Sequence, residues 1–447
     1  MLKVLSNRVF RHLFAAQAVA LVGTGLATVA LGLLAFRIGG DQAGLILGTA
    51  LAIKMVAYVS LAPVAAAMAA RLPRRGFLVA LDLARAGVVA ALPFVTEVWQ
   101  IYVLIFVLQA ASASFTPAFQ ATIPDLFPDE TEYTGALSLL RLTEDLEQVA
   151  SPLVAAALLT VVGFPVLFAG TVAGFVASAV LVATTAVPPR PAGEAGRFLS
   201  EATKGVRLYL RTPRLRGALA LEFATAAAGA MVYVNTVVFV EARFALAEPQ
   251  VALAFAAFGG GSMLAALALP RLLPATGDRA AMLGGAALML AAVAASSRAG
   301  GLDLLLPLWS AVGFGFAATQ IPIGRILTRS ARPADRPAVF AAQFALSHAA
   351  WLVAYPLAGW SGTALGLPAT AIVLAALGAV ALAGALVLWP SSDPEILPHD
   401  HPDLPPDHPH LHESGRPHAH VFVIDGLHRR WPRRSQAGIP ALPTGLS

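Results

Sequence analysis

Apolar residues occur in twelve long runs broken by short polar or basic connections. The first six lie near 11–36, 44–69, 77–96, 99–122, 135–160 and 164–187. Six more follow near 216–240, 250–270, 280–298, 303–325, 339–362 and 367–389. A helix needs ~20 residues to cross the hydrocarbon layer, and none of the runs alternates as a lipid-facing barrel strand does, so the pattern predicts an all-α membrane protein of twelve transmembrane helices. The first run is too long for a signal-peptide core, and no small-residue cleavage motif follows it, so it is kept as a span.

The polar gap after the sixth run divides the chain. Residues 1–187 and 216–390 are expected to form two six-helix bundles related by pseudo-symmetry, joined by a linker at 188–215 and followed by a tail at 391–447. Within the linker, Phe198, Ala202, Gly205 and Leu208 or Tyr209 recur at helical spacing with Arg and Lys between them. That is the pattern of an amphipathic helix lying at the membrane surface, although an ordinary solvated loop would also accommodate it.

Composition agrees with the spans: 57% of residues are hydrophobic and only 12% charged, with a mean hydropathy of +0.73. Little chain is left for a soluble catalytic domain, so no enzyme is expected. The absence of cysteine excludes disulfides and thiolate metal ligands. A net charge of +5 would point to nucleic acid in a soluble protein, but here topology accounts for the basic residues. Lys3, Arg8, Arg11, Arg71, Arg74, Arg75, the 190–216 segment and Arg325 to Arg336 share one side, while the other keeps only Arg37, Arg243 and Arg298. The positive-inside rule then puts both termini in the cytoplasm, in what we expect to be a bacterial inner membrane. There is no Gly-x-x-x-x-Gly-Lys sequence for ATP.

Ionisable residues inside spans cost at least ~2.5 kcal/mol each on insertion scales, so they mark a pathway. The fifth run, SLLRLTEDLEQVASP, holds Arg141, Glu144, Asp145 and Glu147 within two turns. At 100° per residue Arg141, Asp145 and Gln148 share one stripe, and Glu144, Glu147 and Ser151 the adjoining one. Glu147 and Asp145 lie nearest mid-depth and are the first candidates for binding a cation and exchanging protons; alternatively Arg141 neutralises Asp145 as a structural pair. Lys54, with Tyr58 one turn on, reads either as a counter-charge for the cargo or as a structural partner. His348, with Trp351 and Tyr355 on the same face, reads either as a metal ligand or as a packed, hydrogen-bonded imidazole. Glu222 lies nearer the cytoplasmic end, where a gate is expected. Gln17, Thr24 and Thr28 on the first span and Gln109, Ser112, Thr116 and Gln120 on the fourth form polar stripes that should line a cavity.

Eight of the ten histidines fall between His399 and His428, in HDHPDLPPDHPHLHESGRPHAH and the residues after it. His399 and His401, then His408, His410 and His412, then His418 and His420 are spaced by two. In an extended, proline-stiffened chain this returns neighbouring imidazoles to one side. Imidazole suits nickel, copper and zinc, and Asp400, Asp403, Asp407 and Glu413 add oxygen donors. The proline content predicts a tail disordered until metal arrives. It would serve as a buffer or sensor; no cofactor is required.

The basic loop after the second span, AAMAARLPRRGFLVALDLARA, resembles the Gly-x-Leu-Ala-Asp-Arg-x-x-Arg-Arg loop of the major facilitator superfamily at Arg71, Arg74 and Arg75. The motif's glycine is Ala66 and its aspartate Ala70, so Asp82 and Arg85, one turn apart, are the candidates for a substitute pair. PAFQATIPDLFPDE, Pro117 to Glu130, is similar to the fourth-span exit of the family's exporters. The tail ending in HVFVIDGLHRRWP resembles the histidine-tailed nickel-resistance exporters of the NreB type. The resemblance implies a monomeric, proton-coupled exporter of nickel, with cobalt as a further cargo, whose partners are divalent ions, protons and the bilayer. Moving a divalent cation outward against ~100 mV costs ~4.6 kcal/mol, and exchange for two protons cancels that term. The alternatives are export of a siderophore or drug on the same fold, and a membrane-anchored metal sensor.

Overall fold

The computed structural model describes residues 2–69, 72–120, 122–127, 129–187, 198–394, 396–399, 418–425, 427–428 and 430–432. The N-terminal part runs α1 (Arg8–Gly39), α2 (Ala43–Ala69), α3 (Arg74–Ala91), α4 (Val98–Gln120), the single-turn α5 (Ile123–Leu126), α6 (Glu130–Leu159) and α7 (Pro165–Ala183). After α8 (Phe198–Arg211) come α9 (Pro213–Val237), α10 (Glu248–Ser296), α11 (Leu302–Gln320), α12 (Ile323–Arg329), α13 (Arg336–Leu365) and α14 (Leu367–Leu388). Among the described residues nine stretches are long and apolar enough to cross a membrane, and some hold more than one helix. Arg8–Tyr58 contains α1 and the start of α2. The apolar runs near 250–270 and 280–298 form two helices within α10, the first containing Pro270 and Pro274, which meet at a kink where Gly277 leaves helical geometry. There φ is 75°, in a region that side chains with a Cβ rarely adopt.

Proline positions explain several helix starts. Pro165, Pro213, Pro249, Pro337 and Pro368 stand at the first or second residue of α7, α9, α10, α13 and α14, where an N–H has no intrahelical acceptor anyway. The first helix is capped instead by Asn7, whose side chain accepts the Phe10 N–H at 3.1 Å.

In the first group α1 packs on α7, α2 on α4, and α3 on α4 and α7; in the second α9 packs on α13 and α14, and α10 on α11. The two groups meet where α2 crosses α13 and α6 crosses α10. At the α2–α13 crossing the backbones touch: a Cβ on Gly48 would lie 2.5 Å from the Tyr355 carbonyl oxygen, and one on Gly359 2.4 Å from that of Gly44. Close backbone approach through small residues is the usual means of holding helices together in lipid. The Phe164 N–H, at the start of α7, donates to Glu248 Oε2, at the start of α10, at 3.2 Å. These contacts close the end of the molecule opposite the termini.

Helix α8 forms at Phe198–Arg211 and lies against the start of α13, with Lys204 Nζ 2.5 Å from Asp335 Oδ1. Its Tyr209 is fully buried and donates to Gln343 Oε1. Burial, and then the charge of Glu222, push the Tyr209 hydroxyl above its ordinary range, so it remains a donor.

The tail departs from the expected disorder at both of its flanks. Ile396–His399 and His418–Val421 pair antiparallel as β1 and β2, with His399 opposite His418 and Leu397 opposite His420. The chain continues into Phe422, Val423 and Ile424, all buried. Their apolar area, added to ion pairs at either end, offsets the entropy of ordering these segments. Residues 400–417 lie outside the described residues.

Candidate functional site

A cavity of about 420 Å³ lies between the two helix groups. Its wall draws on both: Gln17, Thr24 and Thr28 from α1, Lys54 and Tyr58 from α2, Arg85 from α3, Gln109 and Ser112 from α4, Ser151 from α6, Tyr233 from α9, and His348, Trp351 and Tyr355 from α13. The polar stripes read from the first and fourth spans therefore face one space. Thr116 and Gln120 lie outside the described side chains.

Lys54 and His348 meet across the gap between α2 and α13 through Tyr58. The His348 ring stacks on Tyr58 with centroids 5.7 Å apart, and Lys54 Nζ lies 6.0 Å from the Tyr58 centroid. A carbonyl can only accept, so His348 Nδ1–H donates to the Phe344 oxygen at 2.7 Å. That fixes the tautomer and leaves Nε2 as the ring's acceptor or ligand atom. Sequence reasoning missed the aromatic character of the remaining wall. Tyr233, Phe255, Phe258 and Phe316 line it together with Trp351, and Trp351 packs 6.0 Å from Tyr233 and 4.9 Å from Tyr355. Helical periodicity shows such residues as a buried face but not what that face encloses.

The side chains of Arg141, Glu144, Asp145 and Glu147 lie outside the described residues. Their helix, α6, presents Ser151 to the cavity, and position 147 is one helical turn from it on the same stripe. Glu222 is buried on α9, away from the cavity wall. It accepts from Gln320 Nε2 at 3.1 Å and from Gln343 Nε2 at 2.8 Å, and through Gln343 reaches Tyr209. It thus ties α8, α9, α11 and α13 together at the end that holds the termini.

The residues read as a conformational loop separate into two places. Asp82 and Arg85 do pair, but inside α3, where Asp82 also accepts Ser178 Oγ–H at 2.8 Å. Arg85 lies between the rings of Phe115 and Phe175, 4.2 and 4.5 Å from their centroids. Eight residues of helix, ~12 Å, put this pair too far from the loop to replace a lock there. The lock at the loop is Arg74 with Asp125, at 2.7 Å, which joins the start of α3 to α5. Arg75 is exposed, and Arg71 lies outside the described residues. The second helix group has a counterpart with the signs exchanged: Asp278, just after Gly277, pairs with Arg325 on α12.

The tail holds a second cluster. One ring nitrogen from each of His399, His420 and His428 lies within 4.8 Å of the others. His399 Nε2 is 3.0 Å from His428 Nε2. His399 and His420 donate Nδ1–H to the carbonyls of Leu397 and Val421 at 2.9 and 2.8 Å, and His428 Nδ1 faces both oxygens of Asp425 at 3.1 Å. Burial would raise the Asp425 carboxyl, but hydrogen bonds from the His428 side chain and from the His428 and Leu427 amides outweigh it and hold the group ionised, well below the usual carboxylate range. Asp425 also pairs with Arg332, between α12 and α13. Near the tail's start Asp393 pairs with Arg214 at 3.1 Å and Arg329 at 2.7 Å. Of the histidines predicted to bind metal, His399 and His420 belong to this cluster; His401, His408, His410 and His412, and the side chain of His418, lie outside the described residues. His428 and Asp425 were not picked out from sequence, because neither shares the every-second-residue spacing.

The fold agrees with known transporters. A bacterial homologue of the human lysosomal transporter Spinster, solved inward-facing and unoccupied, superposes with a TM-score of 0.66 at 14% identity, covering 85% of this chain and 96% of that one. The nucleoside transporter NupG gives 0.65 at 13% identity, over 85% and 98% of the two chains. The human organic anion transporter TETRAN gives 0.58 at 13%, over 85% and 99%. No curated protein matches by sequence. The sequence profile of the Major Facilitator Superfamily matches residues 13–243, more than half of the chain. With nine apolar helical stretches among the described residues, a cavity between two helix groups and that match, the chain is a multi-pass membrane transporter, not an enzyme, and belongs to the Major Facilitator Superfamily.

Proposed function

We propose that the protein exports a divalent transition-metal cation, nickel foremost and cobalt as a further cargo, out of a bacterial cytoplasm in exchange for protons. In this reading twelve helices cross the inner membrane, both termini are cytoplasmic, and the two halves rock as a monomer about the cavity, which is the alternating-access scheme of pseudo-repeated transporters. The single observation that carries the metal is the group of three convergent imidazoles at His399, His420 and His428, in a tail that pairs with Arg214, Arg329 and Arg332. Support within the cavity comes from His348, whose Nε2 is left as a ligand atom. The carboxylates of Glu147, Asp145 and Glu144 would alternate between cation and protons, with Lys54 supplying positive charge when the cation has left. Ser151 in the cavity wall favours Glu147 among them.

A second reading is favoured by the aromatic wall of Tyr233, Phe255, Phe258, Phe316 and Trp351, which suits an organic cargo such as a siderophore or drug. One comparison separates the two. Cells making the protein should tolerate more nickel, and everted vesicles should release protons when nickel is added, a response lost in Glu147→Gln. Tolerance to an organic toxin with none to nickel would establish the second reading in place of the first.

A further inference from the structure

We propose that His399, His420 and His428 form a built divalent-metal site, with Asp425 as the group that orients His428. It goes beyond a tail that merely collects ions, and it holds whatever the cavity carries.

The hydrogen bonds force the chemistry. Each Nδ1 is committed: those of His399 and His420 to carbonyl oxygens, which can only accept, and that of His428 to a carboxylate. In their neutral forms all three rings therefore carry the proton on Nδ1 and the lone pair on Nε2. Yet the Nε2 atoms of His399 and His428 face each other at 3.0 Å, and both rings are buried, 6% and 3% exposed. Two lone pairs at that distance repel unless a cation is shared between them. A proton can fill that place, and so can a metal. Bonds of ~2.0–2.1 Å to a tetrahedral ion separate neighbouring nitrogens by about 3.4 Å, so the 3.0 Å pair need only open slightly and the third nitrogen move inward.

The surroundings are those of a metal centre. Ligating imidazoles usually give their other N–H to a carbonyl or carboxylate, which fixes the tautomer and aims the ring. Here all three do. Asp425 is itself fixed, accepting the amides of Leu427 and His428 at 2.7 Å each and pairing with Arg332. The antiparallel pairing of β1 and β2 supplies His399 and His420 from adjacent strands. Three imidazoles and no thiolate suit nickel, cobalt, copper or zinc rather than magnesium or calcium. A fourth position remains for water.

Cobalt(II) titrated into the purified full-length protein, followed by its visible absorption and by calorimetry, tests the site without any transport assay. One equivalent should bind tightly to the natural protein and to a variant with His401, His408, His410 and His412 all changed to Ala. His399→Ala, His420→Ala and His428→Ala should each lose at least tenfold in affinity, and Asp425→Asn, which keeps every ligand, 10- to 100-fold. Unchanged Trp emission and a monodisperse elution profile show that the variants fold. If the fourfold loop variant abolishes tight binding while His428→Ala leaves it intact, the proposal is wrong; so too if no cobalt binds to the natural protein. Tight binding here without nickel tolerance in cells would leave this site standing and remove the metal-export reading.

Discussion

Arg85 carries a charge at the wall of the cavity and is held there by Asp82, Phe115 and Phe175. Removing one member of a buried pair leaves the other without its partner, a larger loss than removing both. Arg85→Ala should therefore lower the stability of the purified protein by about 3–5 kcal/mol, whereas Arg85→Leu with Asp82→Asn should recover most of it. Chemical or thermal unfolding of the three proteins side by side is the measurement; equal loss in the single and double variants would show that the pair itself is not what holds the region. Sequence exposed this pair because its members are one turn apart on one helix. It did not expose Asp125 as the partner of Arg74, 51 residues away, since a charged residue in a loop has many oppositely charged candidates and only the fold chooses among them. His428 escaped for the same reason: a hairpin and a turn bring it to His399, and no spacing along the chain reports that.

At the scale of elements, apolar run length was enough to locate the long helices, because a segment in lipid must satisfy its own backbone hydrogen bonds and a helix does so locally. Two helices do stand on either side of Gly277, as the runs predict, but the end of the first was not legible, since the connection PRLLPATGDR reads as a loop by composition yet stays helical until Gly277. The ion pairs that brace helix ends were half legible: the basic partners stand out, the acidic ones do not. Arg74–Asp125 and Asp278–Arg325 brace equivalent places in the two groups with opposite polarity. Because Arg74 is nearly buried, 7% exposed, and Asp125 partly so at 26%, their coupling in a double-mutant cycle with Arg74→Ala and Asp125→Ala should be about 0.5–3 kcal/mol. Exchanging the two residues should restore most of the loss, giving the first group the polarity of the second. A coupling near zero would mean that the pair is solvent-screened.

For the whole molecule, the closure between α2 and α13 matters most. Gly44, Gly48 and Gly359 let the backbones touch on the side away from the termini, and nothing in the sequence paired these glycines with one another. A side chain at Gly48 cannot fit while the gap stays shut. Gly48→Val should thus favour the form open on that side. A cysteine placed at Leu51, in a chain with no other cysteine, should then react about tenfold faster with a membrane-impermeant thiol reagent added on the side away from the termini, the yield of a ~1.4 kcal/mol shift between the two forms. Equal labelling rates would show that the crossing does not govern access.

Asp393 and Asp425 are each fastened to arginines around α9, α12 and α13. The tail is consequently moored at two separate points, as a bight of rope is. Doubling the length of such a segment adds only ~0.6 kcal/mol to the entropy of closing it. A segment between two such moorings can therefore gain or lose residues while both moorings stay fastened.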